Sequence, residues 1–210
     1  MNEDEHLKTL SDIRNLMERS SRFLSLSGLS GIFIGIYALV AATVTWWYLG
    51  NHFETTTYYN LVTADVEIYK PYIPVLAGIA SAVLLISLLT GYILTQRFTK
   101  KKGLKLWDTT AKRMLINLLI PLVAGGIFCL LLLFHHDLGM VAPSMLIFYG
   151  LALLNAGKYT FNDIRYLGMI EITIGLIAAV DPGYGLVFWA IGFGILHILY
   201  GITMYFKYER

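Results

Sequence analysis

Residues 72 to 102 read YIPVLAGIASAVLLISLLTGYILTQ followed by RFTKKK. The first 25 of them carry no charge, and as a helix rising 1.5 Å per residue they reach roughly 37 Å, more than the apolar thickness of a bilayer. Arg97, Lys100, Lys101 and Lys102 then follow within six positions. Cations gathered just past such a run mark the side of a membrane on which positive charge is retained. The stretch predicts a membrane-spanning helix, and the remainder of the chain is read outward from it.

Five more apolar stretches lie at 23–49, 114–134, 139–157, 164–180 and 184–206, so that six runs take up 132 of 210 residues. With 57% hydrophobic and 14% charged residues, the composition excludes both an ordinary soluble domain and a disordered chain. Fifteen of the 16 lysines and arginines fall before the first run, between the second and third, between the fourth and the first turn of the fifth, or after the sixth. Lys70 alone falls on the other side. That asymmetry places both ends in the cytoplasm and requires an even number of spans, in agreement with the count of six. Trp46, Trp47, Tyr48, Tyr58, Tyr59 and Tyr72 suit the opposite interface. The expected fold is therefore an all-α membrane protein of six transmembrane helices, arranged as three consecutive antiparallel hairpins. An N-terminal helix precedes the domain at 23–210.

Residues 4–22 space Leu7, Leu10, Ile13, Leu16 and Met17 at helical intervals among charged residues. This predicts an amphipathic helix within 1–22 that lies on the inner membrane face, caps the bundle, or docks a partner or second copy. The acidic residues Glu3, Asp4 and Glu5 argue against a cleaved signal peptide. In the loop 97–113, Lys100, Lys101, Lys102 and Lys105 are read as anchors for lipid headgroups, with Leu104, Leu106 and Trp107 dipping into the interface. No recognition fold accompanies them, so nucleic acid is not expected as a partner.

Local signals mark the boundaries. Asp108 is expected to cap the third span and Pro143 to sit in the first turn of the fourth, which Gly157 should end in a left-handed conformation. Thr160 and Asp163 form an Asp variant of a capping box before the fifth. DPGYG, Asp181 to Gly185, makes a tight turn into the sixth. Pro121 with Gly125 and Gly126 implies a kink or a close contact in the third.

Helices in lipid approach one another through small residues. Such stripes run through Ser27, Gly31, Gly35, Ala38 and Ala42, through Gly168, Glu171, Gly175 and Ala178, and through Ala190, Gly194, His197 and Gly201. Glu171 is the only acid well inside a span and His197 the only histidine in one. Counting helical rise from either end puts the two within about one turn of a common level. They are thus expected to form either a buried pair that fixes helix register or a protonatable site. Ser25, Ser27, Asn117 and Asn155, with Tyr149 and Tyr200, fall in the same cytoplasmic half. They would either join a polar pocket or act as interhelical glue.

Phosphate-binding glycine loops, HExxH, GxSxG and CxxC are absent from the sequence, which argues against an enzyme. Cys129 is the single cysteine, and His135, His136 and Asp137 point in different directions as adjacent residues; no metal or cofactor is expected.

The segment GMIEITIGLIAAVDPGYGLVFWAIGFGILHILYGITM, Gly168 to Met204, resembles the repeating hairpin of the HdeD-like acid-resistance membrane proteins: a glycine-rich helix, a turn with proline, and a second helix with glycine near its middle and end. SGLSGIFIGIYALV is faintly similar to it, and the runs RSSRFLSLSGLSG and NAGKYTFNDIRYLG look like uncharacterised bacterial six-helix proteins. The resemblance implies six spans in three hairpins, a bacterial inner-membrane location and a link to envelope stress; it assigns no site residue. The leading expectation is a non-enzymatic multi-pass protein acting through contacts with membrane lipids, a protein partner or a second copy of itself. The alternative is a small-solute or proton-coupled carrier that uses Glu171 and His197.

Overall fold

A computed structural model of the chain describes residues 27–52, 58–103 and 107–209. Among them every regular element is helical. The principal helices are α1 (Gly28–His52), α2 (Ile73–Lys101), α3 (Thr109–Phe134), α4 (Val141–Ala156), α5 (Asn162–Val180) and α6 (Pro182–Glu209). Two short helices, Tyr58–Thr63 and Val66–Tyr69, lie between α1 and α2. The amphipathic segment 1–22 and Lys105 lie outside the described residues.

Four helices, α1, α2, α3 and α6, are long and apolar enough to cross a membrane. The other two differ from them for physical reasons. With 16 residues, α4 is only about 24 Å long, and α5 carries Asp163, Arg165 and Glu171. These two pack closely against each other, and α1 packs as extensively against α6; the two pairs make the largest contacts in the bundle. α2 leans on α1 and α3 on α4, at the outside of the bundle. Leu84, Leu85, Leu88 and Leu89 of α2 and Ile120, Val123, Leu130 and Phe134 of α3 are consequently exposed.

Glycine makes both tight seams. A Cβ on Gly31 would lie 3.1 Å from the Cα of Gly201, and one on Gly35 would lie 2.6 Å from the carbonyl oxygen of Gly194. In the second seam, a Cβ on Gly168 would lie 2.7 Å from the Gly150 carbonyl oxygen, and one on Gly175 would lie 2.7 Å from Ile147. Backbone thus meets backbone with no room for a methyl group. Index rises on one helix as it falls on the other in each seam, so the paired helices run antiparallel.

Asp108 caps α3 as expected, accepting a hydrogen bond from the Ala111 amide at 2.6 Å, and Pro143 lies in the first turn of α4. α3 continues unbroken through Pro121, and the close contact belongs to Gly125, which faces Phe148. Two expectations are corrected. Gly157 keeps right-handed angles, φ −60° and ψ −13°, where a Cβ would run into the Arg165 side chain: it supplies room and not a left-handed turn. The N-cap of α5 is Phe161 and not Thr160, and the Asp163 carboxylate is engaged by α6.

That engagement closes one end of the bundle. Lys207 Nζ donates to both Asp163 oxygens at 3.0 and 3.1 Å, and the Tyr208 hydroxyl donates to Asp163 at 2.9 Å. The Glu209 carboxylate accepts from the Gly28 amide, and Lys102 Nζ donates to the Tyr208 carbonyl oxygen at 3.2 Å. At the other end Leu49, Tyr58, Leu61, Tyr69 and Leu138 form a cluster on which Tyr48 and Tyr72 pack. Of the aromatic residues expected at an interface, Trp46 and Trp47 are exposed, whereas Tyr58 is buried in this cluster because the short helices fold over it.

Candidate functional site

The α4–α5 seam leads directly to Glu171, because Gly168 and Gly175 bracket it on the face of α5 turned to its neighbours. Its side chain is 0% exposed, and His197 opposite on α6 is 3% exposed. His197 Nδ1 stands 3.6 Å from Glu171 Oε1. This distance is beyond a hydrogen bond and within electrostatic contact.

Each nitrogen of the ring has another neighbour. Nδ1 lies 2.9 Å from the Gly192 carbonyl oxygen, and Nε2 lies 2.6 Å from the Tyr149 hydroxyl of α4. A carbonyl only accepts, so Nδ1 must carry the proton; in the neutral ring Nε2 then accepts from Tyr149. Helix geometry explains why Gly192 is available. Between Ala190 and Leu196, α6 is a π-helix, whose wider turns relate residue i to residue i+5 and recur at functional sites. Gly192 and His197 are five apart. The absence of a Cβ on Gly192 also makes space for the acid, since one there would lie 2.5 Å from Glu171 Oε2.

With Nδ1 committed to Gly192, neither Glu171 oxygen has a hydrogen-bond partner among the described residues. Tyr149, Phe193 and His197 pack ring on ring at centroid separations of 5.0, 5.3 and 5.9 Å. A carboxyl group therefore sits in aromatic and aliphatic surroundings beside an imidazole already oriented on both sides. The arrangement can pass a proton between a hydroxyl, a ring and a carboxylate.

Of the other polar residues read from the sequence, Ser25 lies outside the described residues, and Asn117, Asn155 and Ser27 do not join this cluster. The Asn117 amide donates to the Arg113 carbonyl oxygen at 2.9 Å on its own helix. Asn155 accepts from Lys158 at 3.3 Å, and Ser27 Oγ is 3.4 Å from the Glu209 carboxylate. Each is satisfied locally or at the bundle end. Gly31, Gly35, Gly168, Gly175, Gly194 and Gly201 all lie at helix contacts. Gly28, Gly150 and Gly192 do so as well, although their roles were not read from the sequence. Lys100 and Lys101 are exposed, whereas Lys102 is held to the end of α6 and stacks over Phe98. No group of three His, Cys, Asp or Glu able to hold a metal is found among the described residues.

No protein-family profile, curated protein or solved structure matches this chain. The functional reading rests on the chain's own chemistry.

At the charged end of the bundle, beyond the apolar runs 164–180 and 184–206, burial draws the Asp163 carboxyl upward, but hydrogen bonds from Lys207 and Tyr208 outweigh it and hold the acid below its ordinary 3.8. Hydrogen bonding to Tyr208 and Asp163 raises Lys207 above its ordinary 10.5. The ion pair at this end is thus charged through the whole physiological range.

Proposed function

We propose that this chain is a multi-pass protein of a bacterial inner membrane, crossing six times as three hairpins with both ends in the cytoplasm. Its work, in this reading, is to move protons, coupled to a small solute, through a site centred on Glu171 and His197. Four apolar helices of spanning length and the one-sided basic residues support the placement; in this reading α4 and α5 cross together as a closely packed pair.

The observation that carries the proton reading is the Glu171 carboxyl: fully buried, without a hydrogen-bond donor among the described residues, and beside an oriented imidazole. An acid kept only to fix helix register would be expected to have its oxygens satisfied, since unsatisfied buried polar groups are costly and rare. In vesicles containing the full chain, an imposed pH gradient should dissipate in a protein-dependent manner. Glu171→Gln should abolish that flux while the protein remains folded. Equal flux in wild type and variant would remove the proton reading.

A second reading, a non-enzymatic protein working through lipid or protein contacts in envelope stress, draws on the uncovered apolar flanks of α2 and α3 and on exposed Lys100 and Lys101. It predicts a partner that copurifies through residues 1–22 and is lost when they are deleted.

A further inference from the structure

Glu171 is remote from the charged end of the bundle, so a proton that reaches it needs a route. We infer that Tyr149 and Tyr200 form that route, linking the Asp163–Tyr208 cluster at the cytoplasmic mouth to His197 and Glu171. The inference rests on the proton reading above and adds the direction and the residues of access.

Tyr200 is one helical turn from His197 toward the mouth, and its hydroxyl is buried with no hydrogen-bond partner among the described residues. A buried tyrosine hydroxyl normally finds a partner, because leaving it unpaired costs on the order of 1–3 kcal/mol. Tyr149 and Tyr200 pack against the same three buried residues, Leu153, Ile164 and Leu167. Along α6, Tyr200 lies between His197 and Tyr208, and it packs on the same apolar cluster as Tyr149. Tyr208 in turn donates to Asp163 at 2.9 Å, and Tyr149 reaches His197 Nε2 at 2.6 Å. Hydroxyl, carboxylate and imidazole groups therefore run from the end of α6 to the π stretch. The titratable groups facing Glu171 are Tyr149 from α4 and His197 from α6.

The transfer balances. Tyr149 gives its hydroxyl proton to His197 Nε2 as Nδ1 gives its own to the Glu171 carboxylate, across a contact that must close from 3.6 Å. The Tyr149 oxygen is reprotonated from Tyr200, and Tyr200 from Tyr208 or from water at the mouth, which takes its proton from the cytoplasm. One proton has then moved to Glu171, the imidazole has exchanged tautomers, and both tyrosines are as they began. Return of the ring to its first tautomer resets the route.

The test is the infrared carboxyl band of the full chain in vesicles after a pH jump, with Glu171→Gln used to assign the band. Tyr200→Phe removes one oxygen that has no described partner and should leave thermal stability equal or higher. It should slow the Glu171-dependent band by about tenfold or more, equivalent to about 1.4 kcal/mol in barrier. Tyr149→Phe should slow it further, and the wild-type rate should fall in heavy water. An unchanged rate in both phenylalanine variants, with the Glu171-dependent band intact, overturns the route and leaves the proton site standing. A spectrum with no Glu171-dependent band overturns the proton reading and the route together.

Discussion

The α1–α6 seam closes Gly31 on Gly201 and Gly35 on Gly194 through backbone and aliphatic contacts. The α4–α5 seam, made from Gly150 and Gly168 in the same way, runs alongside a buried carboxyl group. His197 stands where α6 turns from the first seam toward the second, since its carbonyl oxygen faces Gly31 and its ring faces Glu171. Small residues thus serve two ends. In both seams they bring backbones together, and on α6, facing the second seam, Gly192 leaves space for an acid.

The comparison can be broken at four places. The largest effect is expected from Gly201→Leu: even a Cβ there would fall 2.5 Å from the Ile32 amide nitrogen, forcing backbone apart and costing about 3 kcal/mol or more. Denaturing-detergent titration in mixed micelles measures it. A cost below about 1 kcal/mol would show that the seam yields.

Gly192→Ala should cost about 2 kcal/mol, because its methyl group meets both the flexible end of Leu146 and Glu171 Oε2. Much of that cost should vanish in a Glu171→Ala background, a non-additivity read from a double-mutant cycle. Additive costs would mean that Gly192 is not there for the acid.

Gly126 lies beside Gly125, yet a Cβ on it would meet nothing within 4 Å. Gly126→Ala should therefore stabilise by about 0.5–1 kcal/mol, whereas Gly125→Ala, which meets Phe148, should destabilise. Matching signs would remove the distinction between seam and open glycines.

Asp163→Asn gives the smallest change, a slight destabilisation, because Lys207 is half exposed to solvent and water screens the pair. Since the Asp163 acid is held below its ordinary 3.8, its contribution is present above that pH and is lost as pH falls through the depressed value. Melting temperatures of wild type and variant should converge in that acid window and stay parallel between it and strongly alkaline pH, where Lys207 discharges. A constant gap down to the lowest pH would contradict the ion pair.

Much of this was legible in the residues. The uncharged run ending in Arg97 and Lys100 announced α2, and helical rise alone put Glu171 level with His197. Two things could not be read. Which neighbour satisfies each histidine nitrogen depends on the π stretch at 190–196, a backbone choice that Gly192 and Gly194 permit without announcing. Whether polar residues converge depends on helix rotation: Asn117 and Asn155 share a half of the bundle with Glu171, but find partners at positions 113 and 158. Asp163 shows the same limit, because three-residue spacing suggested a local cap and Lys207, 44 positions away, took the acid instead.

Carbon-13 magnetic resonance of the labelled Glu171 carboxyl in bilayers, recorded across mildly acid to mildly alkaline pH, is the most direct measurement. The expected result is a carboxyl resonance that moves with pH in wild type and is missing in Glu171→Gln. A resonance that stays fixed over that range would mean that the acid only holds two helices in register, and proton movement through this bundle would be ruled out.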